Sequence, residues 1–377
     1  MIGAGVLGVC VAARLAEAGI GVTLLEQDRP GHAATRSSFA WLNANDKTPR
    51  AYHDLNHAGM RAWAALSAGL GGAPWYRPTG NIEWAEDAPG RERLAARVHR
   101  LTGWGYRARL IGAAEAAELE PSLRLPAPVA EVAWFPGEGY LLTEALVSQL
   151  AELAVRRGAT LLTGEPGRVT GLEAVGGAVR AVRTAAGQVI PADAVVCCAG
   201  RWVPDLAALA GAAVPVPLVP WAGPGAPAPG LVVQAGPVTP PGPQRMVHSP
   251  DVYLRPHSGG LVHLEASDAA VDLHTPEADL RRWAEELLRR ARRVVRGLQD
   301  ADVAGYRVCV RPMPADGRSI VGWLPGAGGV YVAVTHSGVT LAAHLARLIT
   351  TELVTGAAAA ELAPYRPDRF AAVTPAP

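Results

Sequence analysis

Apolar positions spaced three and four apart from Val6 to Ala18, closed by Gly19, predict an amphipathic helix at the start of the chain. The run Val22-Thr-Leu-Leu-Glu26 then predicts a strand that ends on an acid. A polar loop follows from Gln27 to Asn45, and the helical period returns over Pro49 to Leu70. Aromatic and β-branched residues between Pro74 and Trp84, broken at Thr79-Gly80, read as a strand pair, and Arg91 to Gly103 as a further helix. Pro126 to Tyr140 mixes Pro, Gly and aromatic residues in the manner of a crossing between domains. Beyond it the pattern gives a helix over Leu142 to Arg157 that stops at Gly158, and strands at Thr160–Thr163, Gly171-Leu172 and Val179–Val182. The apolar run Ala194 to Cys198 ends in Ala199-Gly200 and fits a strand buried on both faces.

From Pro215 to Pro243 the density of Pro and Gly leaves only Leu231–Gln234 as a strand, although the apolar content suits an ordered loop. Val252–Arg255 and Leu261–Leu264 flank a Ser-Gly-Gly turn and predict a hairpin. A long helix spans Glu277 to Leu298. Its six arginines between 281 and 293 are interspersed with Glu285 and Glu286, as on a solvated face. No repeat of solenoid period occurs.

The turn between the first two elements carries chemistry. Gly3-Ala-Gly5-Val6-Leu7-Gly8 is a complete Gly-x-Gly-x-x-Gly. Gly3 permits the strand-to-helix turn, Gly5 lets the main chain reach a pyrophosphate, and Gly8 lets helix and sheet pack closely. The amides of Val6 and Leu7 open the helix toward the phosphates, and Glu26 is placed to accept hydrogen bonds from an adenosine ribose. Only Met1 and Ile2 precede the first glycine, so either the central strand is a stub or the natural start lies upstream.

Length and composition narrow the class. At 377 residues the chain suits two interleaved domains. A net charge of +1 argues against nucleic acid as a partner, since phosphate binding needs a basic surplus. Without an apolar stretch of about twenty residues, neither a membrane span nor a signal peptide is expected, and a cytoplasmic location follows. Cys10, Cys197, Cys198 and Cys309 have no metal spacing and read as cytoplasmic thiols. His53 and His57 would share a helix face as in a zinc motif, but Asp54 replaces the usual glutamate and no third ligand follows, so no metal is expected.

The C-terminal third is the most specific. Arg311-Pro-Met-Pro-Ala-Asp-Gly-Arg-Ser-Ile-Val-Gly322 and Gly329-Val-Tyr-Val-Ala-Val-Thr-His-Ser-Gly-Val-Thr-Leu341 resemble the end of FAD-dependent amine oxidoreductases of the D-amino acid oxidase, glycine oxidase and sarcosine oxidase superfamily. With the glycine fingerprint and the Ser/Trp/Asn loop in the same order, the resemblance covers nearly the whole chain. It implies an α/β fold: a Rossmann-like FAD-binding domain of the glutathione-reductase type (residues 1–75, 140–217 and 306–377), interleaved with a smaller α+β substrate domain on a mixed or antiparallel sheet (76–139 and 218–305).

By the same resemblance Glu26 and Gln27 bind the adenosine ribose side, and Thr35, Arg36, Ser37, Ser38, Trp41 and Asn43 line the flavin. Val169 meets the adenine through its backbone, while Ala199, Gly200 and Trp202 pass the pyrophosphate. His336, Ser337, Gly338, Val339, Thr340 and Leu341 present a helix N-terminus to the isoalloxazine, where amides and helix dipole suit the negative charge of reduced flavin. Arg311 matches an arginine that holds a substrate carboxylate and Tyr253 a tyrosine that assists it, with Arg255 a second candidate for an anion. Arg311 could instead pair with Asp316, and His336 could be a helix cap or take part in the chemistry. Cys309 stands where sarcosine oxidases carry a flavin-linked cysteine; a probable buried strand favours noncovalent FAD. The oxygen-activating lysine of that group has no match, since Lys47 is the only lysine. The expected partners are an amino acid or amine substrate and oxygen or another acceptor. A tailoring oxidase acting on a cyclic or secondary amine and a non-catalytic FAD-binding subunit are the alternatives. Nothing in the sequence sets the oligomeric state.

Overall fold

The computed structural model describes residues 1–220 and 226–373; part of the Pro/Gly-rich segment, residues 221–225, lies outside them. A central sheet runs in the order Thr160–Thr163, Thr23–Glu26, Ile2, Val195–Cys197, Val330–Val334, Ile320–Trp323. Its neighbours are parallel except for the last pair. Ile2 bridges both sides by itself: its amide donates to Val196 O at 2.9 Å and its carbonyl accepts from Cys198 N at 2.8 Å. On the other side Leu25 N donates to Met1 O and Gly3 N to Leu25 O. Met1, Ile2 and Gly3 together supply the central ladder that places the glycine turn.

Helices Val6–Glu17, Thr143–Arg156 and Gly338–Thr355 pack together over this sheet, with Arg50–Gly69 against the last of them. Gly59 permits that contact, because a Cβ there would lie 2.4 Å from Thr340 O. The antiparallel meander Val169–Val175, Ala178–Thr184, Val189–Pro191 flanks the sheet.

The second assembly is an eight-stranded sheet in the order Asp302–Val310, Pro229–Gly236, Leu261–Glu265, Tyr253–His257, Met246–His248, Asn81–Glu83, Glu131–Phe135, Arg109–Gly112. It is antiparallel apart from Met246–His248 beside Asn81–Glu83. Side chains alternate along a strand, so Leu254, Leu264, Leu231 and Val233 face the helix Glu277–Val294, while Tyr253, Arg255 and His257 face the nucleotide-binding assembly. The arginines of that helix are neutralised locally by Asp279, Glu286, Asp268 and Asp251, as a solvated face requires.

Three local expectations are corrected. The Pro74–Trp84 segment is no hairpin: Tyr76–Arg77 pairs with Gly139–Leu141 and Asn81–Glu83 joins the large sheet, because Gly80 turns the chain from one sheet to the other. Pro126–Tyr140 is more than a crossing, since Glu131–Phe135 is a ladder strand within it. The strand at 231–234 extends to Pro229–Gly236 because its partner Asp302–Val310 is long enough to pair with all of it. That partner stays wholly in the large sheet and crosses the expected division at 305/306.

Candidate active site

Gly3 adopts φ +93°, and a Cβ there would lie 2.8 Å from Cys198 O, so the first turn and the buried strand touch main chain to main chain. Gly8 closes the same turn from below: its Cβ would stand 1.9 Å from Gly3 O. Gly5 differs, meeting only Thr35 Oγ1 at 3.3 Å, and it borders a cavity of about 620 Å³. Two of the three glycines are therefore demanded by packing and the middle one by access. The helix behind them has no side-chain cap of its own; Val6 N donates to Thr35 Oγ1 at 3.0 Å, which ties the polar loop to the helix N-terminus. Glu26 fixes the strand end, accepting from Ala4 N at 2.8 Å and Asp28 N at 3.1 Å, and keeps its other lone pairs for a ligand.

The cavity begins at Glu26, Gln27 and Val169 and passes Gly3, Gly5, Val6 and Leu7 on one side and Ala199, Gly200 and Trp202 on the other. Farther on it is walled by Thr35, Ser37 and Ser38, then by Cys309 and Arg311, and it ends at His336, Gly338 and Val339. The first-turn amides of the helix Gly338–Thr355 open there. This long slot, with a glycine turn and acid at one end and a second helix N-terminus at the other, fits a dinucleotide carrying a flavin. Arg201, Asp28 and Gly31 share the wall and carried no motif in the sequence.

The other expected contacts stand behind the wall. Gly8 lies under the turn, and Leu341 is in the core. Arg36 turns outward to Glu144 at 2.8 Å. Ser337 accepts from Tyr52 OH at 3.1 Å, Thr340 donates to Trp41 O at 3.1 Å, and Trp41 Nε1 donates to Glu138. Asn43 is buried. These residues hold the loop and the helix end rather than border the slot.

At the far end, Arg311 donates from Nε to Ala228 O at 3.0 Å and from Nη2 to Pro227 O and Pro229 O at 3.0 and 3.2 Å. Asp316 pairs with Arg369 and Arg318, not with Arg311. Glu265 Oε1 and Arg311 Nη2 lie 3.5 and 3.7 Å from the place a Cβ on Gly230 would occupy, and Glu265 faces Tyr253 across the ladder. Burial raises the Glu265 carboxyl, opposed by Arg311 and Arg255. Tyr253, Glu265 and Arg311 thus share one sheet face. Tyr253 is half-buried and does not reach the wall of the slot. His336 is pushed down to about 3 by burial, with Lys47 and Arg311 adding to it, so its imidazole is neutral at physiological pH.

Arg255 is withdrawn from ligand binding. It is buried, donates to Phe39 O, Pro256 O and His263, and lies over the Tyr140 ring at 4.8 Å. Cys309 sits 3.6 Å from Ala34 O; burial pushes its thiol up to about 12, so it is not a thiolate nucleophile at neutral pH. His53 Nδ1 meets Ala44 O at 2.8 Å, and among the described residues no group of three His, Cys, Asp or Glu is arranged for a metal. No described helix is long and apolar enough to cross a membrane.

A family model described as FAD dependent oxidoreductase matches residues 1–352. Over 97% of its length the chain is 27% identical to the uncharacterized oxidoreductase YurR of Bacillus subtilis (strain 168), of which 97% is covered. Among solved structures, L-proline dehydrogenase from P. horikoshii superposes with a TM-score of 0.83 at 20% identity, covering 98% of this chain and 96% of that one. Iminodiacetate oxidase from Chelativorans sp. BNC1 gives 0.77 at 25%, covering 97% and 98%. The chain belongs to the family of FAD-dependent oxidoreductases.

Proposed function

We propose that the protein oxidises the C–N bond of an amino acid or related amine to an imine, which water then hydrolyses. Bound FAD supplies the hydride acceptor at flavin N5. The observation that carries the proposal is the far end of the slot, where Arg311 and His336 border the place the flavin ring would take and Tyr253 and Glu265 share the face of Arg311. Arg311 orients a substrate carboxylate with the donors it does not spend on residues 227–229, and Tyr253 flanks it. Neutral His336 can hydrogen-bond without adding charge, and the amides of Gly338 and Val339 stabilise electron density on the ring. With the substrate amine neutral on arrival, no side chain acts as a strong base, and positioning supplies the rate. The names of the dehydrogenase and oxidase with this fold support an amine bearing a carboxylate as substrate.

The domain division belongs to the same proposal, with the strand Asp302–Val310 kept whole beside its partner: residues 1–75, 140–217 and 311–377 hold FAD, and 76–139 and 218–310 the substrate. The commitment of three Arg311 donors to carbonyls favours a second reading, a cyclic or secondary amine without a carboxylate. Anaerobic mixing of the FAD-loaded protein with L-proline, glycine, iminodiacetate and simple cyclic amines tests both. Bleaching of the flavin by carboxylate-bearing amines supports the first, bleaching only by amines without one supports the second, and no bleaching by any of them points to a non-catalytic FAD-binding protein.

A further inference from the structure

Glu138 is fully buried in the turn between the strands Glu131–Phe135 and Gly139–Leu141. Oε2 accepts from Trp41 Nε1 at 2.9 Å, Asn81 Nδ2 at 3.1 Å and Asn45 Nδ2 at 3.3 Å, and Tyr106 OH lies 2.7 Å from Oε1. These partners come from both assemblies, so one carboxyl group ties the flavin-side loop to the large sheet. Its charge does not alter the direction of the bonds, because an oxygen facing three N–H groups accepts whether or not the other oxygen carries a proton.

Asn81 must therefore turn its NH2 to Glu138 and its carbonyl to His248, whose Nδ1 stands 2.6 Å away and must carry the proton. The His248 ring lies between Trp41, 4.1 Å between centroids and tilted by 32°, and Tyr253, 4.6 Å and tilted by 44°. Glu138 holds the first ring directly and the middle ring through Asn81. The third, Tyr253, leans on the middle one and faces Glu265 in the row that ends at Arg311.

We propose that Glu138 is the positioning residue of the substrate half of the site, fixing the stack Trp41–His248–Tyr253 through its bonds to Trp41 and Asn81. This rests on the reading of that half as an amine site. In Glu138→Leu the acceptor shared by Trp41, Asn45 and Asn81 is gone and Asn81 loses its fixed direction, whereas Glu138→Gln keeps it, with the amide oxygen toward the three N–H groups and the NH2 donating to the Tyr106 hydroxyl oxygen.

The test uses FAD-loaded protein labelled with [15N]histidine and anthranilate, an amine with a carboxylate, as the probe read from the flavin spectrum. Parent protein is expected to show His248 as a single tautomer protonated at Nδ1. In Glu138→Leu the tautomers mix, FAD affinity stays within about threefold, and anthranilate binding weakens by about tenfold, the scale of one lost buried hydrogen bond. Should that variant not fold, His248→Asn keeps a donor toward Asn81 while removing the ring, and is expected to weaken anthranilate alike with FAD retained. A Glu138→Leu protein with one tautomer and parental anthranilate binding overturns the proposal, as does a His248→Asn protein that binds anthranilate as the parent does. If the parent itself binds no anthranilate, the amine-site reading fails, and an unmixed tautomer in Glu138→Leu then refutes the positioning role separately.

Discussion

Replacing Arg311 by leucine removes the guanidinium and shortens the side chain without altering the glycine turn or the strand Asp302–Val310 that precedes it. Two losses follow, and they are separable. The carbonyls of Pro227, Ala228 and Pro229 lose their donor. As this segment is partly solvated and water can replace the donor, the stability cost is about 2 kcal/mol rather than the sum of three full bonds. A substrate carboxylate loses a charge-assisted partner in a shielded site, about 2 to 4 kcal/mol, which is about 30-fold to 1,000-fold in the anaerobic reduction rate at subsaturating amine. Glu265 loses a cation as well, so its carboxyl rises further and contributes less repulsion to an anionic substrate. Arg311→Lys keeps the charge and should recover only part of the rate, since one ammonium cannot both hold the three carbonyls of residues 227–229 and meet the carboxylate. The assay is stopped-flow bleaching of the flavin with each amine the parent accepts, with thermal denaturation in parallel. A Leu variant that is destabilised but reduces at the parental rate with every carboxylate-bearing amine would refute a carboxylate role and leave Arg311 as the anchor of residues 227–229.

Gly8→Ala places a Cβ 1.9 Å from Gly3 O and should abolish FAD retention and folding, whereas Gly5→Ala, 3.3 Å from Thr35 Oγ1, should fold with weakened FAD; flavin stoichiometry and melting temperature distinguish them. FAD should be released by acid precipitation and be retained normally in Cys309→Ala; colour that stays with the parent pellet and disappears in the variant would show a covalent link. Burial pushes Glu138 up to about 8 against the bonds from Tyr106, Trp41 and Asn81, with Glu83 adding to the rise and Arg97 nearby. The fold then binds more protons than the unfolded chain between about pH 4.5 and 8, so this group's stabilising contribution is full below that window and is lost as pH rises through it. Melting temperatures recorded from pH 5 to 8 should fall in the parent and lose that slope in Glu138→Gln.

The nucleotide half was legible in the sequence because its determinants are local. A glycine turn, the helix it starts and the acid at the next strand end lie within 26 residues, and each acts through its own backbone geometry. Gly3, Gly5, Glu26 and the close approach of Ala199-Gly200 border the slot as their spacing implied. The strand pair expected at Pro74–Trp84 failed because pairing depends on partners far along the chain: Gly139–Leu141 claims one half and Met246–His248 the other. Nothing in the sequence separates Arg311 from Arg255, yet folding buries Arg255 on Phe39, Pro256 and His263, whereas Arg311, just past a strand end, holds residues 227–229 and still borders the slot. Trp41, Asn43 and Thr340 were expected beside the cofactor by order alone, and the structure sets them behind the wall of the slot. Glu138 had no signal at all, since nothing in Pro-Gly-Glu-Gly-Tyr foretells that donors from positions 41, 45, 81 and 106 converge on it. Periodicity and turn chemistry specify which segments form and where the chain may bend. Which polar groups lose water together, and so must satisfy one another, is decided only when the two sheets close.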